Sequence, residues 1–403
     1  MAAEVGTETT STPNGGGPSK LEPVNGLTKK VAGDVFDEWK TLTGHSFTAG
    51  FAVESLRSND EVYKKLHGDR PIKNVTASDV SNGKGFMSEV LRCIIHFADF
   101  ASESDIYSTI LKIPGMESFE AVNETSATKI LLDDKMMKKM LNLHQTEVDF
   151  YEHLSKTVDI PIPRVFKTLP WKLGETEGLV HMEDMTGRGI VLDHSNSLTI
   201  SQIKEIVRHL AHMHRMVLTS EDEEFNSWKG EHNDNQLSFA SFCKLLNDPE
   251  LFLAICGDRS AFEPLINKCH KVGSNRTYIE YAFSQSWKDL NMSPVIAHGD
   301  LHSGNMMWKL DESGGVTNEV LAVFDWQEYH EGSPMEDIAR ILTFCCNGCT
   351  REEAEEFIFD FYLEQLTKEM KEVGKEASVY LRSDQEGLQL HVSYSSLWTD
   401  YGT

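Results

Sequence analysis

A chain of 403 residues is long enough for two lobes with separate cores, because single cores stop growing at roughly 250–300 residues. Its hydrophobic content of 40% and charged content of 25% are ordinary for a globular protein. The formal charge of −25, with a pI near 5.0, argues against nucleic acid or an anionic membrane as partner, since phosphate polyanions need a basic face.

No apolar run reaches the roughly 18 residues that a membrane span requires. The opening stretch, Met1 to Thr10, lacks the apolar centre of a signal peptide, so a cytoplasmic location is expected. Seven cysteines in such a chain read as reduced thiols rather than a disulfide framework. Cys346 and Cys349 have C-x-x-C spacing, but a structural zinc site would need a second such pair. There, Gly348 is expected to end one helix and Thr350–Glu353 to form a capping box that starts the next.

Residues 1 to about 30 combine Thr, Ser, Pro and Gly with almost no large apolar groups, so the tail, bounded at residue 33, is expected to be disordered. A short helix is expected around Asn59–Leu66. Asp79 to Phe97 reads as strand, glycine turn and strand, with Gly83 and Gly85 in the turn; this is a plain hairpin turn or a phosphate-approaching loop. In the apolar strand Tyr107–Pro114, Lys112 interrupts the pattern. Asp134–Lys156 reads as a helix in which Met140, Leu143, Glu147, Phe150, Tyr151 and Leu154 share one face. Glu147 therefore either sits at the wet edge of that stripe or needs a partner, and pairing with Lys112 would relieve both charges.

Ile160–Phe166 and Gly178–Met185 are expected to complete a small sheet. From Leu198 the pattern turns helical, with Thr199 or Ser201 as cap and Ile203, Val207, Leu210, His214 and Val217 on one face; His214 reads as a satisfied core histidine. Between Trp228 and Met292, helix alternates with loop, and Phe239, Phe242, Leu245, Leu246 and Phe252 are core candidates.

The stretch His298–Asn305 carries the strongest chemistry. Asp300 is followed five positions later by Asn305, the H-x-D-L-x-x-x-N spacing in which the Asp accepts a hydroxyl proton and the Asn helps hold Mg²⁺. Met306–Leu310, a polar turn at Asp311–Gly315, and Glu319–Phe324 read as a hairpin that returns Asp325 beside Asn305. One carboxylate and one amide, flanking a nucleotide, suffice for Mg²⁺. His298 and His302 with Asp300 could instead be ligands of a hydrolytic metal, a reading that needs a further ligand cluster, and the sequence offers none.

HGDLHSGN at His298–Asn305, together with FDWQ at Phe324–Gln327, resembles the choline-kinase-like (CHK) group of the aminoglycoside-phosphotransferase-like superfamily, close to its ecdysteroid-kinase-like branch, over about residues 35–370. Gly299 stands where protein kinases carry an Arg, and no Ala-Pro-Glu follows, so a small-molecule kinase fits better. The resemblance implies an α+β, bilobal, protein-kinase-like fold. Its N-lobe, residues 34–185, would hold a small antiparallel sheet and one main helix; its mainly helical C-lobe would span 186–403. It implies ATP and Mg²⁺ as cofactors, Asp300 as base, Asn305 and Asp325 as Mg²⁺ ligands, Lys112 and Glu147 as nucleotide-positioning groups, Gly83 and Gly85 at the phosphates, and Met182, Glu183 and Asp184 as the adenine hinge.

Asp337, in a G-x-P-x-x-D-x-A segment, either caps its helix through the dipole or, as the resemblance implies, braces the catalytic loop. A helix from Glu352 to about Val373 follows, with Phe357, Phe361, Leu363 and Leu366 as its apolar positions. Leu381–Thr403 lacks the helices expected of the family, which keeps open a pseudokinase-like binding or scaffolding protein as the alternative. The expected acceptor is a small alcohol, choline-like, steroid-like or other. Trp308, Trp326 and Tyr329 either cage a quaternary ammonium group or pack in the core.

Overall fold

A computed structural model describes residues 21–24, 30–81, 87–116, 133–193, 195–223, 225–237, 250, 253 and 259–377. Gly83, Gly85, the five core candidates between Phe239 and Phe252, most of the N-terminal tail and residues 381–403 lie outside the described residues.

The upper lobe is a five-stranded sheet in the order β1-β2-β3-β5-β4, antiparallel throughout: β1 (Ile72–Asp79), β2 (Ser88–Phe97), β3 (Ile106–Pro114), β4 (Val165–Leu169) and β5 (Leu179–Glu183). Strand β1 precedes the stretch expected to hold it and ends at Asp79 rather than starting there. Its burial does not alternate, and a register shift between Ile72 and Asn74 breaks the period of two that marks a strand in sequence. Strand β4 likewise starts only at Val165, because Pro161 and Pro163 have no N–H to give a ladder.

Two helices cover one face of this sheet, α1 (Ala49–Asn59) and α2 (Glu61–His67). The first was not expected from sequence. Ala49, Gly50, Phe51, Ala52, Val53, Ser55 and Leu56 are all buried, and the polar residues Arg57, Ser58 and Asn59 cluster in the last turn, so the first two turns show little periodic polar face. Asp60 joins the two helices and caps α2, its Oδ1 accepting from Val62 N and Tyr63 N at 3.0 and 3.2 Å. Phe47, Phe51, Leu56, Tyr63, Ile72, Leu91, Leu111 and Leu179 form one contiguous core beneath them.

The main helix, α3 (Asp134–Asp149), is capped by Asp133 and passes into a π turn at Phe150–Leu154. Its buried residues include all six positions of the expected stripe.

In the lower lobe, α4 (Ile200–Thr219) starts with a full capping box between Thr199 and Gln202 and buries the expected face. His214 is a core residue, with Nδ1 2.9 Å from the Tyr362 hydroxyl. Helix α5 (Arg259–Gly273) follows; β6 (Gly189–Val191), which precedes α4, joins β8 (Met306–Leu310) and β9 (Val316–Val323) in one small sheet, and β7 (Val295–Ala297) pairs with β10 (His330–Gly332) in another.

Three more helices close the lobe: α6 (Glu336–Phe344), α7 (Gly348–Glu355) and α8 (Ile358–Glu372). The single helix expected over Glu352–Val373 is thus two, broken at Glu356–Phe357 so that Ile358, Tyr362, Leu366 and Met370 face the core. Asn347, not Thr350, caps α7, accepting from Thr350 N at 2.9 Å, and Gly348 opens that helix rather than closing the previous one. Among the described residues, no helix is long and apolar enough to cross a membrane. A sheet-based upper lobe and a mainly helical lower lobe make the α+β, protein-kinase-like arrangement.

Candidate active site

Strand β7 delivers the chain into the loop His298–Asn305, and α6 holds that loop from below. Asp337, in the first turn of α6, accepts from His298 N at 2.7 Å and Gly299 N at 3.1 Å, so it braces the loop backbone rather than merely capping its helix. Gly299 has φ +81°, and a Cβ there would lie 2.3 Å from the Glu328 carbonyl oxygen. No side chain fits where protein kinases carry an Arg.

The bonds of His298 fix its tautomer. Nε2 faces the Phe324 carbonyl at 3.1 Å and so must donate, leaving Nδ1 to accept from Asp300 N at 3.2 Å. Burial drives its pKa down to about 4, so the ring is neutral. In His302, Nδ1 accepts from Gly304 N at 3.0 Å and Nε2 lies 3.5 Å from Asp300 Oδ2. Both histidines are thus engaged within the loop, which leaves them poorly placed as metal ligands. Among the described residues, no group of three or more His, Cys, Asp or Glu side chains could hold a metal by itself.

Asp300 is held from two sides. Arg340 Nη1 is 3.3 Å from Oδ1, and Asn305 Nδ2 is 3.4 Å from Oδ2. Burial alone would raise its pKa, but the His302 hydrogen bond and the Arg340 charge together hold it below the usual carboxylate value. Asn305 donates from the same nitrogen to the Asp300 carbonyl at 2.8 Å, so its amide oxygen is the end left for a cation.

Strands β8 and β9 pair Met306 with Val323, and Phe324 N donates to the Asn305 carbonyl at 3.1 Å. This hairpin returns Asp325 next to Asn305 in the expected way. Asp325 adopts the left-handed conformation (φ 69°, ψ 54°), a costly geometry for a non-glycine residue and one that turns its carboxylate out of the strand line.

Across the cleft, Lys112 Nζ lies 2.8 and 2.7 Å from the two oxygens of Glu147 and 2.5 Å from Asp325 Oδ1. Glu147 is only 2% exposed. Burial would lower the lysine pKa, but Asp325 and Glu147 raise it above its ordinary value, so Lys112 is a cation. One positive and two negative charges leave this buried trio with a net negative charge that a divalent cation would offset. Hard oxygen donors from Asn305 and Asp325 fit Mg²⁺.

The expected hinge residues are less open than sequence implies. The Met182 carbonyl accepts from Thr109 Oγ1 at 2.8 Å, and Glu183 N donates to the Arg164 carbonyl at 2.9 Å. The Glu183 carboxylate is bonded by Arg164 and Arg188 at 3.2 and 2.7 Å, and Asp184 pairs with Arg92 at 3.0 Å. The aromatic cage is overturned. Trp308, Trp326 and Tyr329 are buried in the core, and Trp326 stacks on Phe150 with centroids 3.9 Å apart.

Sequence reasoning missed Arg340 and the buried pair His330–Glu336, whose closest atoms are 3.2 Å apart. The available signal was charge in an otherwise apolar element: the Glu336–Phe344 helix is buried on nearly every side.

Together, the antiparallel upper sheet, the lysine–glutamate pair from β3 and α3, and the loop and hairpin carboxylates below define a protein of kinase-like architecture. A family profile, DUF1679, described as "Uncharacterized oxidoreductase dhs-27", matches residues 64–396, and the chain belongs to that family. A Caenorhabditis elegans protein named "Uncharacterized oxidoreductase dhs-27" is 26% identical over 350 residues, 84% of this chain and 39% of that protein. A second C. elegans relative, "Uncharacterized kinase-like protein D1044.1", is 26% identical over 69% of each chain. The chain therefore spans well under half of the first relative and about two thirds of the second. Among solved structures, the GDP and kanamycin complex of APH(2")-IIia matches with a TM-score of 0.42 at 12% identity, covering 83% of this chain and 88% of that one. Ethanolamine kinase of Plasmodium vivax matches with a TM-score of 0.39 at 14% identity, covering 87% and 80%.

Proposed function

We propose that this chain is an ATP-dependent phosphotransferase that moves the γ-phosphoryl group to the hydroxyl of a small molecule. The observation that carries this reading is Lys112 bridging Glu147 on one side and Asp325 on the other, at 2.7 and 2.5 Å, while Asp300 stands apart on its own loop. Such a trio places a cation for the α and β phosphates beside a carboxylate suited to a metal. The kinase-like relative agrees with it. The name of the larger relative belongs to a protein more than twice the length of the matched region.

In this mechanism Mg²⁺, held by Asn305 and Asp325, would neutralise charge on the phosphates. Lys112, oriented by Glu147, binds the α and β phosphates. Met182, Glu183 and Asp184 would flank the adenine. Asp300 accepts the hydroxyl proton as the acceptor oxygen bonds to the γ phosphorus and the bond to the β,γ-bridging oxygen breaks, releasing ADP. Residues 34–185 would carry the nucleotide and 186–403 the acceptor, in the cytosol, where the free thiols of Cys93, Cys345, Cys346 and Cys349 are stable.

The test separates the two carboxylates. A general base contributes about 10²–10⁴-fold in rate. Asp300→Asn should therefore abolish most turnover with a metabolite extract while Mg-ATP still binds; Asp325→Asn should impair metal-dependent nucleotide binding as well. Calorimetric titration of Mg-ATP beside turnover assays gives the comparison. Unchanged turnover in both variants would end the catalytic reading.

A further inference from the structure

Helix α6 carries two groups of opposite charge, one turn apart, that reach the same loop. Asp337 takes the loop's backbone amides. Arg340, three residues on and so on the same helix face, reaches the Asp300 side chain at 3.3 Å. Arg340 is only 7% exposed and its guanidinium lies over the Phe344 ring, 5.8 Å from the centroid, which braces its stem. Burying a guanidinium is costly unless its charge is matched, and Asp300 matches it. The opposite oxygen of that carboxylate already faces Asn305 and His302, so Arg340 supplies the restraint on the remaining side.

We propose that Arg340 is a positioning residue for phosphoryl transfer: gripping Asp300 Oδ1, it fixes the rotation of the carboxylate and so the direction from which an acceptor hydroxyl can deliver its proton. The inference rests on the phosphotransferase reading and extends it to a residue outside the catalytic loop. Loop and carboxylate are thereby set by one rigid helix, the backbone through Asp337 and the side chain through Arg340. Displacing a reacting group by about 1 Å costs of the order of 10²-fold in rate, so the grip is expected to matter for turnover more than for nucleotide affinity.

The probe is Mg-ATP, with water as the acceptor, and the readouts are ADP release and calorimetric affinity on the full chain. Arg340→Ala should lower ADP release by about 100-fold with Mg-ATP affinity unchanged within error, while the loss of a buried ion-pair partner lowers the melting temperature without unfolding the chain. Adding free guanidinium ion at low concentration should restore part of the lost rate, and Arg340→Lys should fall between wild type and Arg340→Ala. In an Asp300→Asn background, Arg340→Ala should cost nothing further. Wild-type ADP release by Arg340→Ala, absence of guanidinium rescue in a folded variant that binds Mg-ATP, or equal loss of Mg-ATP binding and rate would each overturn the proposal. The two readings fail differently. A wild-type chain that neither binds nor hydrolyses Mg-ATP removes the phosphotransferase reading and this inference with it; an active wild type with an indifferent Arg340→Ala removes Arg340 alone.

Discussion

Gly299 shows how much a single residue decides. Its positive φ and the 2.3 Å approach of a would-be Cβ to the Glu328 carbonyl oxygen act together, and the obstructing atom is backbone, which cannot rotate away. Gly299→Ala should therefore destabilise the chain by about 1–3 kcal/mol from backbone strain and push the loop off the turn Trp326–Glu328, so turnover should fall further than stability. Thermal melting beside ADP release checks this, and an unchanged variant would mean that loop and turn separate freely. In sequence, Gly299 was visible only as a departure from the protein-kinase pattern; its steric reason needed the turn that packs against the loop. Lys112 and Glu147 were legible because each interrupts an apolar pattern, and a charge on such a stripe demands a partner. Arg340 was not read because its target, Asp300, is forty residues away in sequence.

At the level of elements, the cleft is closed by the contact between β3, α3 and the turn after β9. Removing Lys112 leaves two carboxylates, Glu147 almost wholly buried, without their cation. Breaking a buried ion pair by deleting one partner costs about 3–5 kcal/mol, whereas Glu147→Gln removes a charge and keeps an oxygen that can still accept from the lysine. Lys112→Ala should thus lower both melting temperature and Mg-ATP affinity more than Glu147→Gln. Equal effects, or none, in calorimetry and thermal melts would contradict the pairing as the element that sets the cleft. Helices with a mixed face, such as α3 and α4, were readable in sequence. Helix α1, whose first two turns are buried almost throughout, and the break before α8 were not, since both depend on what packs against them rather than on periodicity.

At the scale of the whole molecule, four histidines among the described residues are buried and held neutral: His144 on α3, His181 on β5, His214 on α4 and His298 in the catalytic loop. Burial lowers their pKa values to about 4, about 3, about 3 and about 4. Their ordinary value is near 6.5. Above that, folded and unfolded chains bind the same number of protons at these sites. As pH falls below it, the unfolded chain takes up protons that the folded chain refuses, so stability declines progressively down to about pH 4, by several kcal/mol in sum. Two histidines act the other way. For His45, burial is outweighed by Glu177 and Glu89, and for His330 by Glu336, so both are raised; their stabilisation is complete below about pH 6.5 and is lost as pH rises through their folded values. The formal charge of −25 also shrinks toward the pI near 5.0, which relieves repulsion, but at about 0.15 M salt exposed charges are screened beyond roughly 8 Å while buried rings are not. His67 and His209 are lowered as well, so six depressed histidines stand against two raised ones and outweigh the raised carboxyls of Glu328 and Asp337, which work the other way as pH falls. At fixed salt the melting temperature should fall steadily from pH 6.5 to pH 4, and His214→Phe, which removes a buried ring far from the cleft, should flatten the slope. A melting temperature that stayed level between pH 7 and pH 5 would show that the unfolded chain gains no such protonation advantage.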